Sequence, residues 1–391
     1  MKVAFILNST IVTGGASKSF LSMLTGLMNI GVTPFVILPD NDGLYNKLKE
    51  LGVKTHVLTY REGTYPPFDN TIIDGLLFIP RLLGRIYVNW RSASKLKKIF
   101  KEEKPYIVHT NVSVINIGFK AARKLGIPHI YHIREYGDMD FNRHYFPFHG
   151  YFAKQLDMQK SYSICITKDI QRHHRQEGKP TSRVIYNGIM SRRDILPSNT
   201  GKYFLFMGRI EPAKGLDFLL KAYREYSVNT ATPLPLHIAG VAHDNNYEKY
   251  INRCIEEANI KKNIIFLGEI QEVEPVIHNA KAIIIPSCFE GFGRVMPEAM
   301  FHGCLAIGRN TGGTKEQMDN GKDLTGKEIA LSFTTVEQLA EHLLSVSKNP
   351  AKDFVPIRER AFQTVNALYT IEAQVENVYK FYKDIINENN F

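Results

Sequence analysis

Cysteine is scarce. The four in 391 residues (Cys165, Cys254, Cys288 and Cys304) include no Cys-x-x-Cys pair, so neither a disulfide framework nor a thiolate zinc site is expected, and a reducing compartment suits them. Long apolar runs are also missing. None approaches the roughly 18 residues a membrane span needs, and the longest apolar stretch, 75–90, is interrupted by Pro80, Arg81 and Arg85. Met1–Asn8 is apolar but breaks at once into polar, Gly-rich sequence without a small-residue cleavage site, so no leader is expected. The phosphate-loop pattern G-x-x-x-x-G-K-[ST] does not occur. Gly291-x-Gly293 has Met296 where a dinucleotide fingerprint needs a third glycine, which argues against a dehydrogenase. These absences point to a cytoplasmic chain that is soluble or lies on a surface.

What is present is ordinary for a globular protein: 44% apolar and 23% charged residues, in a length that suits two domains. The charge is lopsided. Residues 1–200 carry 28 Lys and Arg against 15 Asp and Glu, a balance of +13, while the remainder balances at −3. A basic half suggests an anionic partner, whether nucleic acid, anionic lipid or a phosphorylated substrate; the alternative is a biased solvent face.

Short apolar runs alternate with longer amphipathic ones. Strands are expected at 2–8, 33–39, 54–59, 106–111, 128–133, 163–167 and 183–187, then at 203–207, 235–239, 264–267, 282–286 and 305–307. Their Val, Ile, Leu and Phe do not alternate strictly with polar residues, so both faces are covered and the sheets are parallel. The expected fold is therefore α/β, with two tandem Rossmann-like, doubly wound domains, a ligand at the carboxyl ends of the strands and a cleft between the sheets. The polar linker 190–202, with Pro197 and Gly201, divides a first domain, 1–195, from a second, 196–370. The segment 371–391 reads as a long terminal helix with Val375, Val378, Tyr379 and Tyr382 on one stripe.

The densest chemical signal follows the strand at 282–286. Ser287-Cys288-Phe289-Glu290-Gly291-Phe292-Gly293 leads into a helix with Pro297 in its first turn and Glu298 beside it. Glycines and a helix N-terminus suit a phosphate, and two carboxylates suit sugar or ribose hydroxyls. Taken singly, each Glu could be a solvated acid or a first-turn helix acid. After the strand at 203–207 come Gly208-Arg209 and Lys214-Gly215, two cations fit for a diphosphate or simply a basic surface loop. Gly14-Gly15 opens a helix after the first strand. His109 and His132 end strands and are either site residues or core histidines. His173-His174 lies in a basic helix and reads as surface. Asp138-Met139-Asp140 resembles an Asp-x-Asp metal motif but follows no apolar strand, so no metal is expected there. Asn111-Val112-Ser113 would be a glycosylation sequon only in a secreted protein. Segment 76–104 mixes apolar and aromatic residues with cations. It reads equally as a surface for anionic membrane or as a pair of docked helices with a basic outer face.

Together these residues resemble the GT-B-fold retaining glycosyltransferases of family four. The resemblance rests on Gly208-Arg209 with Lys214-Gly215, on the Glu-x7-Glu element from Glu290 to Glu298, on Gly312-Gly313-Thr314-Lys315-Glu316 and on Val184-Ile185-Tyr186-Asn187-Gly188; Gly14-Gly15 and His132 carry a weaker N-terminal match. Leu305 stands where the family usually has Pro, and 320–328 is looser than its pattern. The resemblance implies that Arg209 and Lys214 hold the diphosphate and offset its growing charge. It implies that Glu298 holds the ribose, and that Glu290 with the amides of Gly291, Phe292 and Gly293 contacts the donor sugar. Gly14 and Gly15 would pass close to the phosphates, and His132 would contact the sugar or orient the acceptor. The first domain would bind acceptor, the second would bind a nucleotide sugar (UDP- favoured over GDP-), and 371–391 would cross back to the first. No metal or other cofactor is implied. The leaving phosphate itself would take the acceptor proton, so Glu290 is not cast as a covalent nucleophile. The implied reaction is sugar transfer to a glycan, with a lipid-linked one favoured, in bacterial-type polysaccharide synthesis; the basic first half and segment 76–104 add a contact with the inner membrane face. Nucleotide-sugar epimerases and sugar phosphorylases share the fold and compete with this reading. Nucleic-acid binding fits poorly, because the cations lack an aromatic stacking platform.

Overall fold

The computed structural model describes the whole chain except residues 13, 69, 70, 200, 390 and 391 and the side chain of residue 141. Residue 200 of the expected linker and the last two residues of the terminal segment thus lie outside it. The chain forms two compact units, 1–188 together with 371–391, and 189–370. The first passage between them lies just ahead of the polar linker, not within it. The reason is local pairing: Ile189 N–H donates to Tyr369 O at 2.9 Å and Met190 bridges Thr370, which ties the linker's start to the second unit.

The first unit has a seven-stranded parallel sheet. Its strands are β1 (Lys2–Ile6), β2 (Thr33–Leu38), β3 (Lys54–Val57), β4 (Ile107–Thr110), β5 (His129–Ile133), β6 (Ser161–Cys165) and β7 (Ser182–Val184), in the order β3-β2-β1-β4-β5-β6-β7. The second has six: β8 (Tyr203–Met207), β9 (Leu236–Ala239), β10 (Ile264–Gly268), β11 (Ala280–Ile285), β12 (Leu305–Arg309) and β13 (Leu331–Phe333), in the order β10-β9-β8-β11-β12-β13. Every pairing is parallel. The doubly wound α/β architecture is the expected one. Several strands end earlier than expected, because the apolar run continues past the last ladder bond into the loop, as at Leu7. The three-residue edge strand β13 is too short to have stood out in the sequence.

In each sheet the chain turns outward both ways from a central pair, β1 with β4 and β8 with β11. The loops after those strands emerge side by side where the order reverses, which is where doubly wound sheets bind ligands. Each sheet has its own core. Val3, Phe5, Phe20, Leu24, Val36 and Ile164 anchor the first. The helix Ile371–Glu388 adds Val375, Val378, Phe381, Tyr382 and Ile385 to it. That helix packs on Gly15–Asn29, where a Cβ on Gly26 would fall 2.4 Å from a Val375 methyl. Phe204, Phe206, Leu219, Tyr223, Ile284 and Leu343 anchor the second core.

Segment 76–104, for which the sequence left open a membrane-facing surface or a docked pair of helices, lies in one helix, Ile72–Glu103, 32 residues long with Pro80 inside. The proline's missing N–H would have met the carbonyl of Leu76, a residue that is 75% exposed, so the loss is tolerated. Its C-terminal half is anchored by Ala93, Leu96 and Phe100. Along its N-terminal half Ile72, Leu76, Ile79, Leu83, Tyr87 and Trp90 stand exposed at helical spacing. Among the described residues no helix is long and apolar enough to cross a membrane.

Candidate functional site

In the second unit β8 and β11 are neighbours, with Phe206 opposite Ile284. The turn after β8 contains the short 3-10 helix Pro212–Lys214 and closes on Gly215, whose φ of +67° a side chain would strain and whose Cβ would sit 2.3 Å from Pro286 O. Cys288 N–H donates to Ala213 O at 2.9 Å, lacing the two loops together. That seam brings Lys214 to Glu290. Lys214 Nζ lies 2.7 Å from Glu290 Oε1, which also accepts from Ser287 Oγ at 2.8 Å. Both side chains are mostly buried, 21% and 14% exposed.

The Glu290–Gly293 loop rests on the start of the helix Gly312–Thr325. Gly313 N–H donates to Glu290 O at 2.8 Å, and Gln317 Nε2 donates to Phe292 O at 2.5 Å. A Cβ on Gly313 would lie 2.7 Å from Phe292 O, so only glycine lets the two backbones meet. The Gly312-Gly313 motif therefore holds up the loop that carries Glu290. Glu298, in the first turn of Val295–Phe301, pairs with Arg294 at 3.2 Å. Arg209 turns toward Glu211, at 3.0 Å, and is half exposed.

In the first unit Gly14 is the N-cap of Gly15–Asn29. It has no side chain to cap that helix, and no acid sits in the first turn, so the terminus keeps its affinity for an anion. His132 is fully buried at the end of β5. Arg134 donates toward its Nδ1 at 3.4 Å, and His109 Nε2 lies 3.1 Å from the same atom. Tyr382 O–H reaches His109 Nδ1 at 2.5 Å. The run of donors assigns hydrogens to His109 Nε2 and to His132 Nε2, and the latter has no partner among the described residues. Burial and the Arg134 charge push both imidazoles well below their usual range, so they are neutral at pH 7.

The sequence reading missed Arg134 and Glu135 as parts of a network. The Arg134 guanidinium is buried among Asn111 Oδ1 (3.0 and 3.1 Å), Asn187 Oδ1 (2.6 Å) and Ser19 Oγ (3.2 Å). Asn187 belongs to a motif noted in the sequence without a role; here it secures that guanidinium. The Glu135 carboxyl is buried and accepts from Ser113 N (2.8 Å) and Ser113 Oγ (2.6 Å). Desolvation outweighs those bonds and raises it to about 7. The sequence offered one cue, a strand running directly into His-Ile-Arg-Glu.

The sequence places His173-His174 on a surface, and the structure corrects this. His174 is completely buried and His173 is 19% exposed, because the helix Lys168–His173 stops after six residues and the chain turns inward. Asp140 caps its own turn, accepting from Tyr136 N at 2.9 Å and Gly137 N at 2.8 Å.

Two family models match the chain almost end to end: Glycosyltransferase Family 4 over residues 13–193 and Glycosyl transferases group 1 over 190–363. The chain belongs to the group 1 glycosyltransferases. This glycosyltransferase is 27% identical over 332 residues to an uncharacterised glycosyltransferase of Methanocaldococcus jannaschii, covering 80% of this chain and 88% of the relative. It is 24% identical over 340 residues to the UDP-Gal:alpha-D-GlcNAc-diphosphoundecaprenol alpha-1,3-galactosyltransferase of Escherichia coli, covering 79% and 82%. Among solved structures its fold matches Anabaena HepE in complex with UDP, with a TM-score of 0.78 at 16% identity over 98% of this chain and 100% of that one. It also matches the lipopolysaccharide outer core galactosyltransferase WaaB, with a TM-score of 0.68 at 19% identity and full coverage of both.

Proposed function

We propose that this glycosyltransferase moves a sugar, with retention of configuration and without a metal in the reaction, from a UDP-sugar to a lipid-linked glycan at an anionic membrane face. The observation that carries the donor half is the Lys214–Glu290 contact at the reversal point of the second sheet. In this reading Lys214 and Arg209 meet the diphosphate, and Glu290 faces the sugar hydroxyls with the Gly291, Phe292 and Gly293 amides. Glu298 meets the ribose. In the first unit, the open helix terminus at Gly14 and Gly15 suits an anion and the His132 Nε2–H suits a hydroxyl. As the sugar–phosphate bond breaks, the leaving diphosphate gains charge, Lys214 and Arg209 offset it, and a phosphate oxygen takes the acceptor's proton. Glu290 is already engaged by Lys214 and Ser287, which suits an orienting acid better than a nucleophile. A UDP-bound structural neighbour, Anabaena HepE, and the E. coli UDP-Gal enzyme acting on a diphosphoundecaprenol acceptor support the donor and acceptor classes.

The membrane clause rests on the helix Ile72–Glu103. Its exposed apolar stripe runs about 28 Å, from Ile72 to Trp90. Arg81, Arg85 and Arg91 accompany it, and the half of the chain that bears it is basic. Such a stripe is costly in water and suits the headgroup boundary of an anionic bilayer.

Calorimetry with UDP, GDP, ADP and CMP, with and without EDTA, tests the donor: selective UDP affinity unchanged by EDTA is expected, and no diphosphate binding at all would overturn it. Co-sedimentation with phosphatidylglycerol vesicles tests the membrane clause. Binding is expected, and Leu76→Asp/Leu83→Asp, both at exposed positions, should abolish it without moving Tm. Pelleting equal to that with neutral vesicles would refute the clause and leave the donor reading standing.

A further inference from the structure

Three histidines of the first unit, one buried and two half-buried, form a second constellation. His149 opens the helix His149–Leu156, His173 ends the helix Lys168–His173, and His174 follows it. One ring nitrogen from each lies within 4.8 Å of the others. His149 Nε2 donates to His174 Nδ1 at 3.0 Å, close to the roughly 3.3 Å of two nitrogens sharing a tetrahedral zinc ion, so an ion can take that hydrogen's place. His173 Nε2 has Asp138 Oδ1 at 3.0 Å but no hydrogen-bond partner among the described residues.

The surroundings are built to hold the rings. His174 Nε2 lies 3.0 Å from Glu135 O, and a carbonyl only accepts, so the hydrogen sits on Nε2 and the lone pair on Nδ1 faces His149. Tyr145 stacks on His149 at 5.5 Å, Tyr136 meets His173 edge-on at 5.2 Å and Phe152 meets His174 edge-on at 5.5 Å. Burial pushes His174 down to about 3 and also lowers His149. Asp138 adds a negative charge beside the cluster, and the Arg175 charge bears on His149 and opposes it.

We propose that His149, His173 and His174, each through one ring nitrogen, bind one divalent transition-metal ion of the zinc class. The ion ties the two helices together and takes no part in sugar transfer. The proposal does not rest on the donor reading. Three imidazole nitrogens suit an ion of that class, with water completing its coordination.

The test uses the untagged full chain, stripped with chelator and then titrated with zinc ion by calorimetry against a competing chelator. Elemental analysis counts the metal, and cobalt substitution reads the geometry. One equivalent is expected, with Kd below about 1 μM, a cobalt ligand-field band of a four-coordinate site and a raised Tm. His173→Ala and His149→Gln change partly exposed positions, so the fold survives them; each should weaken zinc binding at least tenfold. His342→Gln, at an exposed histidine, should change nothing. Uptake that does not saturate at one equivalent, or that survives His173→Ala, overturns the proposal, since the four cysteines or surface histidines would then be the ligands. UDP affinity should be the same with and without the ion, so this experiment fails independently of the donor test.

Discussion

Replacing Lys214 by Ala is the sharpest probe of the donor reading, because two effects add. The first is loss of a charge-assisted hydrogen bond to phosphate, worth about 1.5–3 kcal/mol. The second comes from Glu290. Lys214 Nζ lies 2.7 Å from its Oε1, and with Lys214 gone Ser287 Oγ is its remaining side-chain hydrogen bond. That carboxylate is then left mostly buried beside an incoming diphosphate. At about 6 Å and an effective dielectric of about 20–40, the repulsion is roughly 1–3 kcal/mol. Together they predict UDP binding roughly 100- to 10,000-fold weaker, measured by calorimetry at fixed ionic strength, and never less than about tenfold weaker. The double variant Lys214→Ala/Glu290→Gln removes the repulsion but not the lost contact. It should therefore bind UDP more tightly than Lys214→Ala alone, with a coupling of about 1–3 kcal/mol in the cycle. Glu290→Gln alone should leave UDP affinity near wild type while slowing transfer. Unchanged UDP binding in Lys214→Ala, or strict additivity in the cycle, would refute the assignment.

Two predictions concern the fold around the candidate site. Glu135 is raised to about 7 by burial, so the folded chain holds a proton that the unfolded chain releases near 4.5; stability therefore falls as pH rises from about 4.5 to 7, and Glu135→Gln, which keeps an acceptor for Ser113, should flatten that part of a denaturation-versus-pH profile. An unaltered slope would mean that the carboxyl is already ionised in the fold. Gly215→Ala forces a side chain into a +67° φ and toward Pro286 O; it should cost the 189–370 unit at least about 2 kcal/mol, seen by calorimetric unfolding, and weaken UDP binding, whereas a wild-type transition would show that the turn can relax.

Much of this glycosyltransferase was legible in its sequence because the determinants are local. Apolar runs without alternation specify buried parallel strands, and glycines with cations after a strand specify a loop suited to phosphate. The Glu290 and Lys214 loops can be anticipated as neighbours, since the strands before them flank the reversal of a doubly wound sheet. The errors have equally physical origins. The run through residues 76–104 admitted a pair of helices as one of two readings, yet it is a single helix, because an exposed turn tolerates Pro80. His173-His174 looked like surface because basic residues flank it, yet the chain turns inward after six helical residues.

Only the tertiary structure decided what meets at long sequence separation. Asn187 joins Ser19 and Arg134 across the first sheet, Tyr382 reaches His109 from the terminal helix, and His149 faces His174. No periodicity encodes such contacts. Each depends on which strand ends are adjacent and how deeply a side chain is buried, and burial in turn sets the protonation of Glu135 and of the histidines. Local chemistry in the sequence determined the fold class and the glycine-rich, charged loops proposed to meet phosphate; packing determined the buried polar networks, because a desolvated group must find its partner wherever the fold has placed one.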